Sequence, residues 1–449
     1  MIRHRFALTL LLAAALPPRS ALSAQTPAKL PTETYTLPNG LRVILAENHN
    51  SQVVTVDLWY AVGSRNEVPG RTGFAHLFEH MMFEGTEHVK KAEHFALVAN
   101  AGGGNNASTH SDFTNYYQFL PSNQVNLGLW LEADRMRSLT VTDETFHNQR
   151  EAVKEERRLR IDNQPYARVI VEGIVAAFDS AACYGYAHPG IGHIKDLDAA
   201  ATSDVKAFFD LYYVPNNATL AVVGDIDPAA VKKTIVQYFG NIPRGKEPPP
   251  VRCEQKFSTG ALRKNFRDDK ATLPASVTVY RVPSYDNADT PAIDLLLRVL
   301  GQGESSRLNV KLVRDARAAV AAQALSFGAT RGPGLVVVLG IANQGVSIDS
   351  VGALASREVA RVAAEGITEQ ELTKAKNGYR AQVINDRQHS FSYAEALQSA
   401  DFCLGSARAI DADFDRHMKV TVADVKRAAS TYLTPDNSLT LMVSAEAKP

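Results

Sequence analysis

Two stretches of the chain carry the same residues at a constant offset. Asp204-Val205-Lys206 is followed by Tyr212, Pro215, Asn217 and the apolar run Leu220-Ala221-Val222-Val223. Asp424-Val425-Lys426 is followed by Tyr432, Pro435, Asn437 and Leu439-Thr440-Leu441-Met442-Val443. A shared tripeptide is ordinary, but six identities in one register point to an internal duplication and so to two homologous domains. At 449 residues, each half is long enough to bury its own core. Residues 243–263 hold Pro248-Pro249-Pro250 amid Lys, Arg, Glu and Ser, with little apolar periodicity, and read as an extended linker. The expected domains are therefore residues 25–242 and 264–449.

Residues 1–24 stand outside both. Arg3 and Arg5 precede the apolar run 6–16, which Pro17-Pro18 close and Ala21-Leu22-Ser23-Ala24 follow. A basic head, a short hydrophobic stretch and a small-residue exit compose a secretory signal peptide. The run is too short to cross the ~30 Å hydrocarbon core of a bilayer. Cuts after Ala24 and after Ser23 are both compatible with the residues. The mature chain is expected to be exported, in the periplasm, with no membrane span. Cys183, Cys253 and Cys403 lie far apart without CxxC spacing and read as small buried hydrophobes, although an oxidising compartment would let one pair bridge.

Each half mixes strand and helix signals. Val53–Tyr60 and Gly334–Ala342 read as buried strands, and Pro38-Asn39-Gly40 as the turn of a hairpin between residues 35 and 46. Residues 143–162 and 367–382 read as amphipathic helices. Strands in blocks and helices in blocks give an α+β class, with an antiparallel sheet in each domain and helices packed on one face. Lys+Arg and Asp+Glu balance at 48 each, and no basic run interleaves with aromatics, which argues against a nucleic-acid partner.

Residues 73–83 (GFAHLFEHMMF) contain no proline or β-branched residue, so helix is expected. In a helix His76 and His80 stand one turn apart on one face, close enough for two imidazoles to bind one ion. With Glu79 they form H-x-x-E-H, the inverse of H-E-x-x-H and a zinc peptidase pattern. Zinc with an open fourth position holds a reactive water, and Glu79 is placed to take its proton as general base. Three polar residues on a surface helix could match the pattern by chance. Yet Leu77, Phe78, Met81, Met82 and Phe83 make the helix largely buried, where polar groups need partners. A third ligand should be an acid on another helix. Residues 143–162 offer Glu144, Glu151, Glu155 and Glu156. Phe146, Gln149 and Val153 share a face, Glu156 falls beside them, and Glu151 and Glu155 point away.

With these residues in view, the chain resembles the pitrilysin/insulinase family of inverted-motif zinc peptidases, particularly the two-domain members related to mitochondrial processing peptidase. Residues 73–86 (GFAHLFEHMMFEGT) match its signature, and residues 149–157 (QREAVKEER) match the segment carrying its distal glutamate. The resemblance implies His76, His80 and Glu156 as ligands of one zinc ion per chain, and Glu79 as base. Many relatives have a second acid where this chain has Gln149, which puts the support of the ligands in question. Residues 102–109 (GGGNNAST) resemble the family's active-site edge strand, where a peptide can add main-chain hydrogen bonds; Asn106 and Ala107 match the substrate-contacting positions. The other histidines outside the motif, His188 among them, are assigned no role.

The second half lacks H-x-x-E-H. The family places there an arginine and, seven residues later, a tyrosine that hold substrate. Arg314 matches the arginine as a candidate substrate-binding residue, but Ala321 occupies the tyrosine position and has no hydroxyl to donate. A homologous subunit carrying the Arg/Tyr pair and lacking H-x-x-E-H is the expected partner. The resulting expectation is an exported zinc endopeptidase, the active subunit of a heteromer, cleaving peptides or unfolded segments. The alternative is a non-catalytic structural or peptide-binding subunit of the same family. Those scaffold subunits lose the motif, whereas this chain retains it.

Overall fold

The computed structural model describes residues 26–257, 259–327 and 330–445. The expected signal peptide lies outside the described residues.

The duplicated residues each do the same structural work twice. Asp204 and Asp424 accept the backbone N–H of Ala201 (3.1 Å) and of Thr421 (2.9 Å), capping the helices Thr202–Tyr212 and Val422–Tyr432. Val205 and Val425 are fully buried, each worth about 1.5–3 kcal/mol of burial. Pro215 and Pro435 open a short 3₁₀ turn, where φ near −65° suits the ring. Asn217 and Asn437 donate from Nδ2 to the carbonyls of Tyr212 (2.9 Å) and Tyr432 (2.6 Å), tying each helix end to the strand that follows.

Among the described residues eleven strands form two sheets. The first holds β1 (Thr32–Thr36), β2 (Arg42–Glu47), β3 (Val53–Tyr60), β4 (Gly104–Thr109), β5 (Thr114–Pro121) and β6 (Ala218–Gly224) in the order β1-β2-β6-β3-β5-β4. The second holds β7 (Leu262–Asp268), β8 (Ala275–Val282), β9 (Ala319–Phe327), β10 (Gly334–Ala342) and β11 (Ser438–Ala445) in the order β7-β11-β8-β10-β9. Pairing is antiparallel except for one parallel pair in each, β2 with β6 and β7 with β11. The orders superimpose, β1 being extra, so β4 and β9 are equivalent edges. The hairpin between β1 and β2 turns at Gly40, whose φ of +97° only glycine adopts cheaply.

The inner strands β2, β3, β6, β8, β10 and β11 are buried along most of their length because both faces are covered, whereas β1, β4 and β7 are largely polar. In the first sheet Val43, Leu45, Val54, Val56, Leu220 and Val222 face the helices of their own half. The alternate residues Ile44, Ala46, Ala221 and Val223 meet Tyr393, Ala394 and Leu397 of the helix Ser390–Leu404, which comes from the other half. Gln398 on that helix donates to the carbonyls of Asp57 (3.0 Å) and Thr219 (2.9 Å). The exchange is mutual: Val169, Ile174 and Ala177 of the first half pack on Val277, Val279, Leu439 and Leu441 of the second sheet. Helices of its own half thus cover one face of each sheet, and the opposite half supplies the other.

The cysteine expectation is corrected. Cys183 and Cys253 form a disulfide, leaving Cys403 free among the described residues. The described part of residues 243–261 has no helix or strand, but it is tied beside the bridge, where Glu254 N–H donates to the Ala182 carbonyl at 3.0 Å. A separation of 70 residues hides such a pairing from sequence spacing.

Candidate metal centre

The helix Phe74–Met81 buries Phe74, Ala75, Leu77, Phe78 and Met81, with the Phe78 ring stacked on Phe208 and Phe209. That anchoring leaves His76, Glu79 and His80 on the remaining face, the two imidazole centroids 4.9 Å apart. The helix Asp143–Arg157 starts at a Thr142 cap and buries Phe146 and Val153, while Glu151 and Glu155 are exposed. Continuation of that phase turns Glu156 toward the motif helix. Its Oε2 lies 3.6 Å from His76 Nε2 and 3.1 Å from His80 Nε2. The structure therefore brings His76, His80 and Glu156 together, with one donor atom from each within 4.8 Å of the others.

This donor set fits zinc. Bonds of about 2.0–2.1 Å in a tetrahedron hold donor atoms roughly 3.3 Å apart, a value that the separations of Glu156 Oε2 from the two imidazoles bracket. The tautomer of His80 also fits. Its Nδ1 donates to Gln149 Oε1 at 3.2 Å, an oxygen that can only accept, which leaves Nε2, the atom facing Glu156, as the one that a metal would take in place of its hydrogen. His76 Nδ1 is buried without a hydrogen-bond partner among the described residues. Burial, reinforced by the charge of His80, lowers the His76 pKa to about 4 and so keeps it neutral. For His80 burial acts downward, but the bond and charge of Glu156, joined by the charge of Glu79 and the bond to Gln149, turn the net shift upward. Glu156 is lowered chiefly by its bond to His80.

Glu79 points to the end of β4, where Thr109 Oγ1 donates to its Oε2 at 2.6 Å. Burial raises the Glu79 pKa against the pull of that bond, which makes the carboxylate a stronger proton acceptor. β4 is the open edge of the first sheet; Asn106 is exposed opposite Tyr117, and Ala107 is buried opposite Tyr116. Beyond Thr109 a cavity of about 710 Å³ opens between the halves, walled by Phe113, Ile174, Phe327 and Phe391.

The chain is similar to known proteins along most of its length. The family described as Insulinase (Peptidase family M16) matches residues 42–178, and Peptidase M16 inactive domain matches residues 201–379. A zinc protease of Helicobacter pylori, PqqE, is 32% identical over 420 residues, 92% of each chain. This chain belongs to peptidase family M16. The beta subunit of mitochondrial-processing peptidase from Blastocladiella emersonii is 25% identical, over 90% of this chain and 86% of that one. A crystal structure of a Helicobacter pylori protease superimposes with a TM-score of 0.88 at 28% identity, covering 94% of this chain and all of the other.

In this M16 member Arg314 does not join the cluster. It is 69% exposed and its polar contact is with the neighbouring Asp315. Ala321 lies on β9, the edge equivalent to β4. Two contacts escaped the sequence reading. Thr109 had no assigned role. Arg160 binds the second oxygen of Glu156, Nη1 to Oε1 at 2.7 Å, and its spacing of four residues on a helix could have revealed it.

Proposed function

We propose that this M16 member is an exported zinc endopeptidase acting on peptides or unfolded segments. The observation that carries the proposal is the convergence of His76, His80 and Glu156 beside a partly buried Glu79. His76, His80 and Glu156 would hold one zinc ion, which supplies Lewis-acid polarisation of the scissile carbonyl and of a water molecule. Glu79 takes the proton of that water and can return it to the leaving amine. Thr109 orients Glu79, and the open edge of β4 near Asn106 and Ala107 offers an extended peptide main-chain partners whatever its sequence. The names of the zinc protease relatives support the same chemistry.

Export is supported by the Cys183–Cys253 bridge, since such bonds persist in oxidising compartments. Among the described residues no helix is long and apolar enough to cross a membrane. A heteromer completes the reading: with Ala321 on β9 and Arg314 turned to solvent, the second half offers no Arg/Tyr pair. A homologous subunit carrying that pair would supply the grip on substrate.

The test is zinc content and hydrolysis of an unstructured peptide in wild type and Glu79→Gln, alone and with such a subunit. Zinc should be retained in the variant while turnover falls about 10²–10⁴-fold. Wild-type turnover by Glu79→Gln would remove the base. Full activity of the isolated chain, with no gain on mixing, would remove the heteromer.

A further inference from the structure

The helix bearing His76, Glu79 and His80 has only eight residues, and its cap position, Gly73 (φ +88°), offers no side chain. The missing acceptor comes from outside the helix. Glu67 Oε2 accepts the Gly73 N–H at 2.8 Å, and its Oε1 accepts the Ala75 N–H at 2.9 Å. A carboxylate thus meets the positive end of the helix dipole. The Glu67 side chain is fully buried, and its Oε2 also meets His188 Nε2 at 3.0 Å. His188 Nδ1 donates to the Tyr184 carbonyl at 2.9 Å, which fixes the ring.

His188 opens the loop 188–193, which runs against both helices of the candidate centre. Gly192 (φ +78°) passes so close to the motif helix that a Cβ on it would lie 2.4 Å from the Gly73 nitrogen. Thr72 Oγ1 accepts from the His193 N–H at 3.0 Å and donates to Asp196 Oδ2 at 2.6 Å. From the other side Arg157, the residue after Glu156, donates from Nη1 to the Gly192 carbonyl at 2.7 Å. One glycine therefore touches the start of one ligand-bearing helix with its backbone and the end of the other with its carbonyl.

We infer that Glu67 and Arg157 are positioning residues, which grip the loop 188–193 between the two helices and so set the spacing of His76, His80 and Glu156. This rests on the zinc reading above. Neither residue belongs to the donor set. Their effect passes through helix placement, and a metal centre needs its donors held to within ~0.5 Å.

The test measures zinc affinity by chelator competition, and the visible spectrum of the cobalt-loaded chain, in wild type, Glu67→Gln and Arg157→Met, with His76→Ala as control. Both variants should bind zinc about 10–100-fold more weakly and shift the cobalt bands. The double variant should be little worse than the weaker single one, because both act through one loop. Zinc affinity within about twofold of wild type and an unchanged cobalt spectrum would overturn the clamp, even if thermal stability falls. Should the variants fail to fold, hydrogen exchange on wild type decides. Zinc is expected to slow exchange of the amides of residues 188–193, and unchanged exchange there overturns the inference. Wild type that binds zinc no better than His76→Ala overturns the metal centre and the clamp with it, a result distinct from failure of the clamp alone.

Discussion

The Nδ1–H of His80 donates to Gln149 Oε1 at 3.2 Å, and Gln149 Nε2 donates in turn to the buried Glu84. An amide thus orients a candidate ligand through a neutral bond. Gln149→Glu would offer His80 a charged acceptor and make its Nε2 more basic, so zinc affinity should rise about tenfold. The same change sets two carboxylates against each other beside Lys91, and folding stability should drop by about 1–3 kcal/mol. Zinc titration and chemical denaturation of the variant check both signs. An unchanged affinity would show that the amide already supports His80 fully.

Thr109→Val removes the donor to Glu79 Oε2 while keeping the shape of the strand end. Losing that bond lets burial push the Glu79 pKa further up. Because a base works only when deprotonated, the acidic limb of kcat should move to higher pH. Turnover near neutrality should fall about tenfold, with zinc content unchanged. Thr109→Ser should restore both. A pH profile that does not move would separate Thr109 from the base.

Reduction of the Cys183–Cys253 bridge, or Cys183→Ser, should destabilise the chain by about 2–4 kcal/mol, because the cross-link closes a long loop of the unfolded chain. Cys403→Ser should have little effect. Peptide mapping without reductant, which should recover the 183–253 pair, and urea unfolding with and without reductant check this. A reduced chain of unaltered stability would contradict it.

The parts of this fold that were legible in sequence are those written in local periodicity. Val53–Tyr60 and Gly334–Ala342 are strands to the residue, and helix phase alone turned Glu156 inward. The hidden parts are non-local. Nothing within Ser390–Leu404 announces that its Tyr393 and Leu397 seal the first sheet, although uninterrupted apolar strands imply that some element must. Thr109 reaches Glu79 across a strand end, and Glu67 reaches Gly73 from a loop without periodicity. Arg314, which family likeness assigns to substrate, is exposed beside Asp315, apart from the His76, His80 and Glu156 cluster.

Asp57 on β3 and Glu395 on the helix Ser390–Leu404 bring two acids together where the halves cross. Trp59 Nε1 donates to Asp57 Oδ2 at 2.9 Å and to Glu395 Oε1 at 3.3 Å, and Asn115 Nδ2 donates to Glu395 Oε1 at 2.8 Å. Asp57 Oδ1 is buried without a partner among the described residues, and the directions of the two shifts put the proton of the pair on Asp57, with Glu395 accepting it. Burial first, then the charge of Glu395, holds Asp57 well above the usual carboxylate range, and burial raises Glu395 as well. A carboxyl whose pKa is higher folded than unfolded contributes fully below its unfolded value, and that contribution is lost as pH rises through the folded one. Glu395→Gln keeps the acceptor for Trp59 and Asn115, turns an amide N–H₂ to Asp57 and removes one charge. It should match wild type near pH 5 and exceed it by about 1–2 kcal/mol near pH 9, the gap widening with pH. Denaturant unfolding across that range reads the difference. A gap that stays constant with pH would mean that no proton is held between the two halves at this crossing.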